Sequence, residues 1–266
     1  MADRLKKGLA DLISEEQSGF VAGRQILDGI VIATEVIHSM AKSKEKAMFI
    51  KLDMAKAYDR VRWSFLQRVL SAFGFAQEWI QWVWSCVMSV SFSVLINGSH
   101  SELFGASRGL RQGDPLSPYL FILLVEGLGR WIKQNVGSGY IQGWRWGGTL
   151  PPQTHLQFVD DTALMGMATM REAYNLRRVL DVYLAASGQQ INEGKSSIYF
   201  FNTPGPIQQR IAHTLRFQIG DLPLKYLGIP ISMSRLPKES WQAILDKFRV
   251  KVNHWTHRWL SFAGCV

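Results

Sequence analysis

The stretch Gln157-Phe158-Val159-Asp160-Asp161-Thr162-Ala163-Leu164-Met165 decides how this chain is read. Two adjacent acids stand between two short apolar runs. His155 to Val159 and Ala163 to Met165 read as extended, and Asp160-Asp161-Thr162 is short enough to be the turn between them. A tight turn would put both carboxylates at the tip of a hairpin, fixed by buried strands on either side. Paired carboxylates are hard oxygen donors, which suit Mg²⁺ better than a soft metal. Asp also favours turns for its own reasons, so the pair taken alone reads more readily as a solvated turn. The rest of the chain has to decide.

The chain has 266 residues, enough for one large domain or two modest ones. Hydrophobic residues make up 47%, which supports a sizeable core and argues against disorder. Lys and Arg number 30 against 21 acids, a net charge of +9 that suits a polyanionic partner. Cys86 and Cys265 are too few for a disulfide framework or a zinc site. Cys86 falls in an apolar helical stretch and is expected in the core. The first residues carry no apolar signal segment. The longest apolar run, Tyr119 to Val125, is far too short to span a bilayer, so no membrane partner is expected.

Upstream of the acid pair, Leu5, Leu9 and Leu12 recur at helical spacing. A Gly-containing loop, Gln17 to Arg24, leads into a helix with Ile26, Ile30, Ala33, Ile37 and Met40 on one face. Arg24 at that bend could hold a phosphate bidentately, or stand solvated on the surface. Ala47 to Asp53 reads as a buried strand ending in an acid. Ser64 to Gln67 has the pattern of a capping box, and an amphipathic helix runs from it to Gly74. A second helix carries Ile80, Val83, Trp84 and Val87 inward, with its tryptophans expected in the core. Ser91 to Ile96 alternates as a strand, turning at Asn97-Gly98 into a return strand from Ser101 to Ala106. Arg108 to Pro118 holds two glycines and two arginines before a helix capped by Ser117, an arrangement that could attract phosphate. Beyond the acids, Thr169 and Glu172 form a second capping box for a helix ending at Gly188. Lys195 lies in a Gly-Lys-Ser turn that lacks the spacing of a phosphate-binding loop. Trp241, Leu245, Phe248, Val252, Trp255 and Trp259 fall on one helical stripe near the end. This mixed order predicts an α+β fold around an antiparallel sheet.

Three acids can be considered together. If neighbouring strands bring Asp53 to Asp160 and Asp161, like charges crowd at one sheet edge unless cations bind there. Two Mg²⁺ ions would relieve the repulsion and clamp an in-line phosphoryl displacement. Arg24, Arg111 and Lys195 are candidate countercharges for a triphosphate.

Six segments occur in order: Phe20-Val-Ala-Gly-Arg24-Gln-Ile-Leu-Asp28, Lys51-Leu-Asp53-Met-Ala-Lys-Ala-Tyr58-Asp59-Arg-Val, Arg108-Gly-Leu-Arg-Gln112-Gly-Asp-Pro-Leu-Ser-Pro118, Phe158-Val-Asp160-Asp161, Gly188-Gln-Gln-Ile-Asn192-Glu-Gly-Lys195-Ser, and Tyr226-Leu-Gly228. Together they resemble the reverse transcriptase domain of LINE-type (non-LTR) retrotransposons, especially the plant kind. The resemblance implies an RNA-directed DNA polymerase that extends a primer 3′-hydroxyl with deoxynucleoside triphosphates on an RNA template. It also implies a polymerase palm with partial fingers over residues 1–236 and the start of a thumb helix over 237–266. By motif position, Asp53, Asp160 and Asp161 match the metal ligands, joined by the backbone carbonyl of Met54. Tyr58 matches the aromatic beside the sugar 2′ position, and Arg24 the fingers residue on the triphosphate. Arg111 belongs to the same nucleotide set, and Gln112 and Gly113 match residues lining the nucleotide and template. Lys195 matches the proposed general acid, and Tyr226, Leu227 and Gly228 the turn that grips the primer. Val159 stands where the family usually has alanine. The same resemblance implies a nuclear or cytoplasmic location and a piece of a larger polyprotein. A catalytically inactive nucleic-acid-binding remnant is the alternative.

Overall fold

Short apolar segments of strand and helix spacing alternate along the chain, and the structure follows that alternation closely. The computed structural model describes residues 1–146 and 151–256. In chain order these form α1 (Ala2–Leu12), α2 (Ile26–Lys42), β1 (Ala47–Leu52), α3 (Trp63–Ala72) and α4 (Gln77–Met88). Four short strands follow: β2 (Ser91–Phe92), β3 (Leu95–Ile96), β4 (Ser99–His100) and β5 (Phe104–Gly105). Then come α5 (Ser117–Gly137), β6 (His155–Phe158), β7 (Asp161–Met167), α6 (Met170–Ser187) and β8 (Ser197–Phe201). The chain continues through α7 (Gly205–Leu215), β9 (Gln218–Ile219), β10 (Leu224–Tyr226), β11 (Ile229–Ile231) and α8 (Glu239–Thr256).

The main sheet has five strands in the order β6-β7-β1-β8-β9. All its pairings are antiparallel except β8 with β9. β1 sits in the middle, and its run of Ala, Met, Phe and Ile is buried on both faces. That is why its sequence is apolar without alternation. Met48, Ile50 and Leu52 join one large core with Leu164, Ile198 and the inward faces of α1, α3, α5, α6 and α7. On a strand, the intervening residues point the other way, and α2 packs against β1 and β6. α5 is the central helix: Leu120 through Val125 are all buried, so it is apolar nearly all round.

Several local expectations need correction. The hairpin between β6 and β7 turns at Val159 and Asp160, because Asp161 already pairs with Phe158 as the first residue of β7. Thr162 lies buried in that strand and is not part of the turn. Ser64 caps nothing: α3 begins at Trp63 after Arg62. α5 likewise begins at Ser117 itself, and the Asp114 carboxylate accepts from the Leu116 amide instead. Thr169 does cap α6, accepting from the Glu172 amide, but the Glu172 carboxylate reaches the Gln142 and Gly143 amides rather than back to the cap. Asn97 and Gly98 form the expected turn, with φ of 49° and 85°, yet its flanking strands break into β2 with β5 and β3 with β4. Cys86 is exposed, Trp82 is 55% exposed and Trp84 is half-buried, so the outer side of α4 is not core. α7 and β9 carry no strong sequence signal.

Two compact units divide the chain, Met1–Gly220 and Asp221–Val266. The second contains the β10–β11 hairpin and α8. Trp241, Leu245, Phe248 and Val252 on α8 are exposed; the Trp255 side chain, Trp259 and Cys265 lie outside the described residues. No described helix is long and apolar enough to cross a membrane.

Ile50 is fully buried at the centre of the middle strand. Ile50→Ala is expected to cost about 2–5 kcal/mol through lost burial and the cavity left behind. Urea unfolding followed by circular dichroism measures this.

Candidate active site

The register of the sheet builds the site. Leu52 pairs with Thr162 and Lys51 with Ala163, so Asp53 continues opposite Asp161 at the end of the same pair of strands. Side chains alternate along a strand, which puts Asp53, Lys51 and Asp161 on one face. Asp160 is exposed in the two-residue turn next to them. Burial raises the Asp161 carboxyl above the usual carboxylate range; the Asp160 charge adds to the rise, Lys51 opposes it and Asp53 adds again. Among the described residues, no three His, Cys, Asp or Glu side chains are gathered into a ready-made metal cage. The three acids instead share an open sheet edge.

Beyond β1 the strand runs on as an antiparallel bridge between Met54 and Ile191. The Asn192 amide donates to the Asp53 carbonyl at 2.8 Å, and the Ala55 amide to the Gln190 carbonyl at 2.8 Å. Successive carbonyls point to opposite sides of a strand, so the Met54 carbonyl is directed to the side of β7 and the turn. The Asp53 amide donates to the Ser196 hydroxyl. Lys195 is exposed on the turn that Ser196 closes.

Tyr58 stacks on Phe121 of α5, with ring centroids 4.4 Å apart and planes 12° from parallel. Burial, then the charge of Asp160, pushes its phenol up to about 12, which ties the ring to the acid turn. The Tyr58 carbonyl accepts from the Leu110 amide at 2.8 Å. Gly109 lies so close that a Cβ there would meet the Asp59 carbonyl oxygen at 2.8 Å. Glycine at φ of 95° is what permits this docking. The segment of Arg111, Gln112 and Gly113 is thereby held beside Tyr58. Arg111 and Gln112 line a surface pocket of about 540 Å³ with Asp59, Trp63 and Arg108. Arg111 is paired with Asp114. Burial raises the Asp114 carboxyl, but hydrogen bonds from Arg111 and the Leu116 amide outweigh it and hold the group below its usual value.

Arg24 stands differently from its sequence reading. Its guanidinium donates to the backbone carbonyls of Ile13 at 2.8 Å, Ser14, and Gln17 at 2.6 Å. These bonds fasten the loop before α2. Tyr226, Leu227 and Gly228 lie in the second unit, where Leu227 and Gly228 form the turn of the β10–β11 hairpin with φ of 46° and 88°.

A family model described as "Reverse transcriptase (RNA-dependent DNA polymerase)" matches residues 1–231. The chain belongs to this family. A 149 kDa protein of the transposon TX1 from Xenopus laevis is 29% identical over 197 residues, 73% of this chain and 14% of that protein. The Pol polyprotein of the R2 element of Drosophila melanogaster is 27% identical over 67% of this chain and 16% of its own length. The chain therefore spans a small part of these non-LTR retrotransposon proteins. An uncharacterized mitochondrial protein of Arabidopsis thaliana is 37% identical over 109 residues, 41% of this chain and 88% of that protein. Among solved structures, telomerase from Candida albicans aligns with a TM-score of 0.55 at 17% identity over 77% of this chain and 34% of that one. Telomerase from Candida tropicalis gives 0.55 at 16% identity over 76% and 40%. These neighbours share the fold: a central sheet with flanking helices.

Reverse transcriptases use divalent metal ions. The residues present suit one: Asp53, Asp160 and Asp161 are hard, anionic oxygen donors, and Asp161 already feels the repulsion that a cation would remove. The sequence could have shown Lys51, two residues before Asp53 and therefore on its face. It gave no signal for Ser196 or Phe121.

A carboxyl with a raised value in the folded state favours folding when protonated. That contribution is fully present below the unfolded value and is lost as pH rises through the folded one. At neutral pH the crowded charges therefore oppose folding, and removing one relieves the strain. In EDTA at neutral pH, Asp160→Asn is expected to raise the thermal midpoint above that of the wild type. A lowered midpoint would contradict the charge crowding described here.

Proposed function

We propose that this chain is the palm with partial fingers, and the start of the thumb, of an RNA-directed DNA polymerase from a plant-type non-LTR retroelement. Its task is to extend a DNA primer on an RNA template with deoxynucleoside triphosphates. The observation that carries this reading is the placement of Asp53 opposite Asp161 at one sheet edge, beside the Asp160 turn. Membership of the reverse transcriptase family and relatives from retrotransposons support it, and the relative from Arabidopsis supports the plant kind.

In this reading, Asp53, Asp160, Asp161 and the Met54 carbonyl hold two Mg²⁺ ions. The chemistry these residues would gain from such ions is charge neutralisation during an in-line displacement. Mg²⁺ keeps few protein ligands and completes its shell with water and substrate phosphate, which agrees with an open edge rather than a closed cage. The primer 3′-hydroxyl gives up its proton to solvent as its oxygen bonds to the α-phosphorus and the bond to pyrophosphate breaks, and Lys195 gives a proton to the leaving pyrophosphate. The Tyr58 ring, fixed on Phe121, closes the space that a ribose 2′-hydroxyl would fill. Arg111 can exchange its exposed pairing with Asp114 for the triphosphate, since such pairs are weak. Gln112 and Gly113 line the nucleotide, and Tyr226 to Gly228 contact the primer. Arg24 is the weakest member of this set, because three carbonyls occupy its guanidinium.

Primer extension on an RNA template tests the reading directly. Asp160→Ala is expected to lower the incorporation rate about a thousandfold, the scale of several kcal/mol of lost charge stabilisation. Equal extension by this variant would refute catalysis at the turn. Tyr58→Ala is expected to keep deoxynucleotide incorporation while admitting ribonucleotides, read by extension with each set separately.

A further inference from the structure

Val159 is a β-branched residue with φ of 57°, a conformation such side chains avoid. Something must hold it there. Gln17 does so from 142 residues away: its Oε1 accepts from the Val159 amide at 3.0 Å, and its Nε2 donates to the Val159 carbonyl at 3.5 Å. One carboxamide thus engages both polar groups of the strained residue. The same Oε1 accepts from the Gly19 amide at 2.8 Å, and the Gln17 side chain is fully buried. The loop that carries it is laid along β6. The Gln157 amide donates to the Glu16 carbonyl at 2.8 Å, and the Ser18 amide to the Gln157 carbonyl at 3.0 Å. Gly19 presses on the turn so closely that a Cβ there would come within 2.6 Å of Val159 Cγ2 and 2.8 Å of its nitrogen. Arg24 secures the far side of the loop through the Ile13, Ser14 and Gln17 carbonyls.

We propose that Gln17 is a positioning residue for the acid turn: its buried carboxamide clamps Val159 in the left-handed conformation and so sets where Asp160 stands. Arg24 is the fastener of that clamp, which explains why its guanidinium faces backbone rather than solvent. Asp160 follows Val159 directly, so rotation at Val159 displaces it from Asp53 and Asp161. This role rests on the polymerase reading for its catalytic consequence, but the clamp itself can be measured without turnover.

Amide hydrogen exchange and single-nucleotide incorporation are measured together on Gln17→Ala and the wild type. The expected result is exchange at the Val159 amide faster by about tenfold or more, a kcat lower by roughly tenfold to a hundredfold, and a nucleotide KM within about twofold. The thermal midpoint is expected to fall as well, since a buried, hydrogen-bonded side chain is lost; the local rise in Val159 exchange and the fall in kcat without a matching rise in KM are what separate positioning from a general loss of stability. Should Gln17→Ala fail to fold, Gly19→Ala keeps the carboxamide and pushes a methyl group into the turn; it is expected to show the same fall in kcat. Unchanged Val159 exchange, or unchanged kcat in the variant that folds, overturns the proposal. A wild-type chain that extends no primer sinks the polymerase reading instead, and the exchange rates still decide whether Gln17 clamps the turn.

Discussion

Two carboxylates face one another across the β1–β7 register, and the rest of the molecule is arranged to tolerate that. Like charges at the end of a strand pair push the strands apart. What holds them is the buried length behind: Met48, Ile50 and Leu164 in one core, and α5 lying under the sheet. A shift of one residue in this register would send Met48, Ile50 and Leu52 from one packed face of β1 to the other, into a space shaped for different side chains, and would separate the acids. The cost of burying the wrong face therefore protects the geometry of the polar edge. Lys51, on the same face as the acids, offsets part of the repulsion.

Around this edge, distant segments are joined by main chain. Leu110 donates to the Tyr58 carbonyl, Asn192 to the Asp53 carbonyl, and Ser18 to the Gln157 carbonyl. Backbone bonds do not depend on which side chains are present, so this scaffold survives extensive substitution. That accords with structural neighbours at 16–17% identity sharing the fold. Side-chain identity matters where a group must reach a particular atom: the acids, Tyr58 on Phe121, and Gln17 on Val159.

Much of this was legible in the sequence because apolar spacing reports burial. The unbroken run from Ala47 to Ile50 reads as a buried strand, and the strand is buried on both faces; the acid that ends the segment, Asp53, stands beside the Asp160 turn. Asn97-Gly98 gave its turn because both residues accept positive φ. The acid turn lies at Val159 and Asp160, not at Asp160 to Thr162, for the converse reason: valine is a poor turn former, so Val159 gives no sign of its conformation. Arg24 reads by residue type as a phosphate ligand or a solvated side chain, and only three-dimensional proximity shows the carbonyls it bonds. Cys86 and Trp82 were assigned to the core because α4 is rich in apolar residues, though only Ile80 and Val83 are buried there. Gln17 was out of reach altogether, since a buried glutamine has no periodic signature and its partner lies far along the chain.

That long separation has a consequence for how the protein is made. Residues 14–24 leave the ribosome well before residues 157–159, so for most of synthesis the N-terminal loop has no hairpin to grasp. Contacts between remote segments form late, because the loop they close costs entropy before it yields any contact. The acid edge can take its final shape only after residues 157–159 have emerged. Nascent chains stopped just ahead of β6 would contain Asp53, Tyr58 and all of α5, yet lack any settled centre.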